Sequence, residues 1–195
     1  EDDFDGEYRF VGRPMHAMQG ADTSERVIYL GTFAKLLFPA LRLGFMVLPE
    51  SLLPDISTVL SITGQFAPLL LQAALADFID EGHMSVHLKR MRRIYAARRQ
   101  AFRTYAHKEL GDWMTLRPSD AGIQFVGELR QGLSDIAIAT AARQRGMNIS
   151  PLSMHFRHTQ SPTSGLVLGY ATIDEARMAQ AFRSLKQAFV EGAKA

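Results

Sequence analysis

Apolar positions along the chain fall into two alternating kinds of run. Residues 27–30 (VIYL) and 43–48 (LGFMVL) are short, continuous, and rich in β-branched, leucine and aromatic side chains. Runs of this kind predict strands covered on both faces, as in a sheet flanked by helices. A helix is expected over 52–62, with Gly64 ending it. Pro68 suits the first turn of a second helix. Leu69, Leu70, Ala73, Leu75, Ala76 and Ile79 make that helix apolar on most sides, so it is expected to be buried, and Gly82 stops it. A long helix follows over 84–110. Its seam is Met84, Leu88, Met91, Tyr95, Phe102 and Tyr105, interrupted by Arg98. Lys89, Arg90, Arg92, Arg93, Arg99 and Arg103 are assigned to its other faces.

After Gly111 the elements shorten. Strands are expected at 114–116, 124–128 and 165–171. Ser134 or Asp135 can cap a helix that ends at Gly146. Thr172-Ile173-Asp174-Glu175 has the form of a capping box. It opens a last helix with Met178, Phe182, Leu185 and Phe189 on one face. Strands alternating with helices over the whole length argue for an α/β class. The part from about residue 98 onward reads as a smaller α+β unit, joined to the first by the helix 84–110.

Composition narrows the partners. With 47% hydrophobic and 22% charged residues the chain has the profile of a soluble globular protein. A net charge of +2 does not by itself argue for nucleic acid. The absence of cysteine excludes disulfides and thiolate chemistry and fits the cytoplasm. No apolar run reaches the roughly 18–20 residues that cross a bilayer. The acidic start, Glu1-Asp2-Asp3, is no secretory n-region. It looks like a strand end and loop, so the natural domain is expected to begin upstream.

The candidate chemistry lies between the first two strands, in GTFAKLLFPALRLG (31–44). Lys35 stands there, and burying an ammonium is costly. A desolvated lysine near other cations becomes available as a neutral amine, as a Schiff-base lysine requires. Arg42 would suit a phosphate through its forked guanidinium. A carboxylate from the acidic first ten residues would complete a cofactor-binding set. By spacing alone, a loop with two solvated cations fits as well. His83 and His87, four apart on a helix, lack an evident third metal ligand, and His155 and His158 sit in a polar loop. All four are read as structural or surface histidines, with no metal. The basic stretch 89–103 reads as a solvated helix face or a subunit contact. No helix-turn-helix pattern is evident.

Motif order adds what spacing cannot. EDDFDGEYRF followed by RVIYLGTFAKLLFPALRLGFMVLP (26–49) resembles the fold-type I pyridoxal-phosphate (PLP) enzymes, the aspartate aminotransferase superfamily. More narrowly, it resembles the aminotransferase-like domain of MocR-type regulators in the GntR family. EGHMSVHLKRMRRIYAARR (81–99), GLVLGYA (165–171) and the closing helix are similar to the same branch, so the resemblance covers essentially the whole chain. It implies that residues 1–97 are the C-terminal part of a PLP-binding large domain and 98–195 a small C-terminal α+β domain. It implies PLP as cofactor, held as a Schiff base on Lys35. Asp2 would pair with the pyridine nitrogen and Arg42 would hold the phosphate. Phe4 stands where the family usually has a tyrosine, and Ala34 where a serine phosphate ligand is common. Leu166 and Val167 occupy the strand in which many aminotransferases carry a carboxylate-binding arginine. Arg157, in the preceding loop, is the candidate substitute.

Two readings of function follow from the resemblance. In one, the chain is the effector and dimerisation domain of a cytoplasmic, homodimeric regulator that senses an amine, an amino acid or PLP. DNA would then be read only by a winged-helix domain upstream. In the other, it belongs to a working class I/II aminotransferase, with Lys35 also moving protons. Phe4 and the missing carboxylate arginine favour the first. A third, plainer possibility is a fragment that folds without binding cofactor.

Overall fold

The structure is a computed structural model, and it describes residues 1–157 and 163–194. It contains two compact units, Glu1–Met91 and Arg92–Ala195.

In the first unit, β1 (Asp2–Asp3) pairs in parallel with β2 (Tyr29–Thr32), in the register Asp2 to Leu30 and Asp3 to Gly31. A one-turn helix, α1 (Met18–Ala21), lies between them in sequence. The chain enters β2 through a staple. The Asp22 carboxylate accepts the backbone N–H groups of Ser24, Arg26 and Val27 at 2.8, 2.6 and 2.8 Å. These bonds hold its carboxyl below the usual carboxylate range. β3 (Gly44–Val47) then pairs antiparallel with β2, Tyr29 opposite Val47 and Thr32 opposite Gly44. The 3-10 helix Pro39–Leu41 sits between β2 and β3.

α2 (Leu53–Thr63) ends at Gly64, whose φ of 65° is the left-handed cap that glycine takes readily. α3 (Leu69–Asp80) follows with Pro68 at its N-cap, and α4 (His83–Leu110) begins in this unit. The buried cluster here is Leu41, Leu43 and Leu75, with Phe33, Leu37, Ala67 and Met84 packed against it.

Burial in this unit differs from expectation. β3 is exposed along its length, Phe45 and Met46 at 42% each, and Leu30 of β2 is exposed too. α3 buries only Leu75, while Leu69 and Leu70 are 82% and 80% exposed. Continuous apolar runs predict cover on every side, but they do not say which residues supply it. The small cluster around Leu41 reaches only one side of α3.

In the second unit an antiparallel sheet has the order β4-β5-β7-β6. β4 (Met114–Leu116) pairs with β5 (Gln124–Leu129), and β5 with β7 (Gly165–Gly169). β6 (Ser150–Pro151), which has no signal in the sequence pattern, pairs with β7. α5 (Asp135–Gln144) and α6 (Glu175–Gly192) complete the unit with the later part of α4. The core centres on Phe102. Its ring lies 4.9 Å from Phe182 edge-on, 5.6 Å from Phe125 and 6.2 Å from Tyr170. Met178, Leu185 and Phe189 of α6 are buried with it, as the one-faced pattern of that helix predicts.

Capping and the arginines bring further corrections. Ser134 is the cap of α5, accepting Ala137 N–H at 3.2 Å. Asp135 is buried instead. It accepts Ser153 N–H and O–H at 2.8 and 3.0 Å and Gly165 N–H at 3.2 Å, tying α5 to β7 and to the loop before it. The capping box does not form. α6 starts at Glu175 with Asp174 as N-cap, and the Asp174 carboxylate bonds the Arg98 guanidinium rather than a helix N–H. Arg98 also donates to the Ala171 carbonyl. Arg99 is buried rather than solvated. Its guanidinium donates to the Ser119 carbonyl and lies 5.4 Å from the Phe125 ring centroid. A carbonyl and an aromatic face compensate that burial.

Candidate functional site

Lys35 stands in the turn that follows β2, and bonds from both sides of the turn fix its path. The Phe33 N–H bonds the Leu43 carbonyl at 3.1 Å, which ties the turn to the chain entering β3. The Leu37 N–H bonds the Phe33 carbonyl at 2.9 Å, closing one helical turn around Lys35. The Ala34 N–H bonds Thr32 Oγ1 at 3.2 Å. Leu36 is buried and Lys35 half-buried.

Burial alternates through residues 2–7. Asp2 and Phe4 are exposed, while Asp3 is half-buried. Asp3 is engaged within the fold. Its carboxylate accepts Tyr29 O–H at 2.8 Å and Gly6 N–H at 2.9 Å. Burial, and then the bond to Asp3, pushes the Tyr29 phenol up to about 12. Asp2, by contrast, is exposed. The Lys35 Nζ lies 4.7 Å from the centroid of the Phe4 ring. At such a site the ring attracts an ammonium by about 0.5–1 kcal/mol. Phe4 has no hydroxyl to offer there.

Arg42 caps the 3-10 helix with φ 55° and ψ 26°. Only Glu25 shares a positive φ among the described non-glycine residues. Leu41 and Leu43 are both buried, which turns the Arg42 side chain outward. Such strain is typical where a side chain must be aimed.

The remaining candidates are His83 in the first unit and Arg157, Leu166, Val167 and His155 in the second. Arg157 is exposed, just beyond the 3-10 helix Leu152–His155 of the second unit. Leu166 on β7 is fully buried and Val167 half-buried, so that strand presents no cation. His83 pairs with Glu81 at 3.0 Å. His155 Nε2 lies 3.0 Å from Ser150 Oγ, and His158 is outside the described residues. Among the described residues no group of three His, Asp or Glu side chains is placed to hold a metal. Nor is any helix among them long and apolar enough to cross a membrane.

Two residues beside Lys35 escape sequence reasoning. Tyr8 O–H donates to the Lys35 carbonyl at 3.4 Å, and His87 Nε2 lies 2.8 Å from the Leu36 carbonyl. His87 did carry a signal. It falls three residues after Met84 and four before Met91, inside the apolar seam of α4, where a polar side chain needs a buried partner.

No family model matches the chain. Among individual proteins, it is 51% identical over 190 residues to the probable rhizopine catabolism regulatory protein MocR of Rhizobium meliloti, covering 97% of this chain and 38% of that protein. It is 33% identical over 177 residues to the HTH-type pyridoxine biosynthesis transcriptional regulator PdxR of Corynebacterium glutamicum, covering 90% and 37%. Its fold matches the α-aminoadipate aminotransferase LysN of Thermus thermophilus, solved with N-(5'-phosphopyridoxyl)-L-leucine. The TM-score is 0.86 at 27% identity, covering 97% of this chain and 49% of that one. The chain thus spans between about two-fifths and one half of the proteins it matches.

Proposed function

We propose that the chain, similar over 97% and 90% of its length to the MocR and PdxR regulators, is a MocR-type, aminotransferase-like domain of the GntR family that serves as the PLP-binding effector domain of a transcriptional regulator. When bound, PLP supplies an aldehyde, which condenses with a primary amine and releases water, and a ring that draws off electrons. The side chains present suit its three polar ends. Lys35 would hold the aldehyde carbon through Nζ, Asp2 would hold the ring nitrogen, and Arg42 would fork onto the phosphate.

The observation that carries the sensing role is the pairing of Lys35 Nζ with the bare ring of Phe4. A phenol there could hydrogen-bond the cofactor, and Phe4 cannot. Ala34 likewise lacks a hydroxyl for the phosphate. With Leu166 and Val167 on β7, the substrate carboxylate has no cation on that strand. Arg157 is the proposed substitute. The chain is thus equipped to anchor a cofactor better than to turn over an amino acid. The effector is an amine, an amino acid or PLP itself, and its binding shifts an equilibrium between conformations.

The remaining assignments belong to the whole protein. In this reading it is a cytoplasmic homodimer whose large and small domains divide near residue 97/98, a few residues past the Met91/Arg92 break between the compact units, and it reads DNA through a winged-helix domain upstream. Exposed apolar side chains on α2 and α3, Ile62, Leu69 and Leu70, fit a surface that another part of the protein or a second copy covers. A working aminotransferase is the second reading, favoured by the presence of the anchoring set itself.

Mixing the PLP-loaded protein with candidate amino acids and assaying keto acids separates the two. A spectral change without keto acid is expected. Sustained keto acid production would overturn the sensor reading.

A further inference from the structure

We propose that Tyr8 and His87 are positioning residues for Lys35, gripping two consecutive carbonyls of its turn from opposite directions in sequence. The inference rests on the reading of Lys35 as the cofactor lysine. Tyr8 reaches the Lys35 carbonyl from a segment 27 residues upstream, and His87 reaches the Leu36 carbonyl from α4, 51 residues downstream. Tyr8 is fully buried and His87 half-buried. A carbonyl only accepts, so His87 donates from Nε2.

The arrangement has a consequence for the amine. The lysine stem is four methylenes long and rotates freely, so the position of Nζ depends on where its backbone stands. The closing bond of the turn, Leu37 N–H to the Phe33 carbonyl, leaves the Lys35 and Leu36 carbonyls to be met from outside. Tyr8 and His87 meet them. Phe4 limits Nζ from the other end, at 4.7 Å. Backbone and tip are therefore both held, as a group that must meet a ligand atom in one geometry requires. A misplacement of about 1 Å can cost about 10²-fold in rate.

The test uses the intact protein and pyridoxal 5'-phosphate. Borohydride traps cofactor condensed with lysine, and the rate of label appearing on Lys35 is followed by mass spectrometry. Label on Lys186, in the second unit, serves as the internal reference. His87→Ala is expected to slow labelling of Lys35 about tenfold, and His87→Gln, which keeps an N–H donor, to restore most of the rate. Tyr8→Phe, which keeps the buried ring, is expected to slow it about threefold, in line with its longer bond. Thermal unfolding of each variant identifies loss of fold. If His87→Ala does not fold, His87→Gln and Tyr8→Phe decide, and wild-type labelling in Tyr8→Phe with impaired labelling in His87→Gln overturns the proposal. Wild-type labelling in a folded His87→Ala overturns it as well. So does His87→Gln being as slow as His87→Ala, because shape rather than the hydrogen bond would then matter. A wild-type protein unlabelled at Lys35 overturns the cofactor reading itself, and this inference with it.

Discussion

Replacing Arg42 by glycine should move fold stability and cofactor binding in opposite directions. The Arg42 backbone sits at φ 55°, ψ 26°, between the buried Leu41 and Leu43. For a residue with a Cβ, this region costs about 1–2 kcal/mol. Glycine escapes that cost but loses more chain entropy on folding, about 0.4–1 kcal/mol. The difference leaves Arg42→Gly more stable by about 0.5–1 kcal/mol, a rise of roughly 1–4 °C in Tm for a chain of this size. Arg42→Ala keeps the Cβ and should show no such gain.

Cofactor binding should change the other way. Two guanidinium–phosphate hydrogen bonds at about 1.5–3 kcal/mol each correspond to a loss of about 3 kcal/mol or more. That is about 10²-fold weaker binding or beyond. Thermal unfolding of the cofactor-free variants and a PLP titration measure the two effects. The reasoning is refuted if Arg42→Gly destabilises the cofactor-free protein by about 1 kcal/mol or more, which would make the guanidinium part of the fold. Unchanged PLP affinity refutes it equally.

Phe102→Ala removes the ring at the centre of the second unit and should cost about 3–5 kcal/mol in urea unfolding. A cost under about 1 kcal/mol would mean that Phe125, Tyr170 and Phe182 close the gap without it. Asp135→Ala leaves the Ser153 and Gly165 donors without their acceptor and should cost about 2–4 kcal/mol. Asp135→Asn, which keeps one acceptor oxygen, should lose less. Tyr29 holds its proton more tightly in the folded state, so its contribution is fully present below the ordinary phenol value of about 10. It is lost as pH rises from there to about 12. Unfolding measured over that window should show stability falling more steeply in the wild type than in Tyr29→Phe.

Much of this was legible in the residues, and the failures have physical causes. Met114–Leu116 was readable as a strand because its apolar run ends at clear turn signals. The helix from His83 was readable because its apolar seam, from Met84 to Tyr105, recurs through most of its 28 residues. Burial was not readable where it depends on distant parts of the chain. Leu69, Leu70 and Phe45 are apolar and exposed, and local pattern cannot say what would cover them. Arg99 failed in the other direction, because a buried guanidinium needs a carbonyl and a ring that only the fold brings to it. The capping box failed because α6 begins only at Glu175 with Asp174 at its N-cap, which leaves Thr172 two residues too early to cap it.

The candidate site was assigned from motif order rather than spacing. EDDFD, then GTFAK, then PALRLG singled out Asp2, Lys35 and Arg42, which spacing left as ordinary charges. Tyr8 was missed, and His87 was read as a structural or surface histidine without its partner, because both partners are backbone carbonyls, which carry no residue identity.

The role of Lys35 as cofactor anchor is tested most directly by trapping. The intact protein is mixed with PLP, reduced with borohydride and digested, and each lysine peptide is weighed. The expected result is a phosphopyridoxyl mass on the Lys35 peptide at near-stoichiometric level, little on Lys89, Lys108, Lys186 or Lys194, and loss of the visible cofactor absorbance in Lys35→Ala. A Lys35 peptide labelled no more than the other four, or a Lys35→Ala protein that keeps the absorbance, would contradict it.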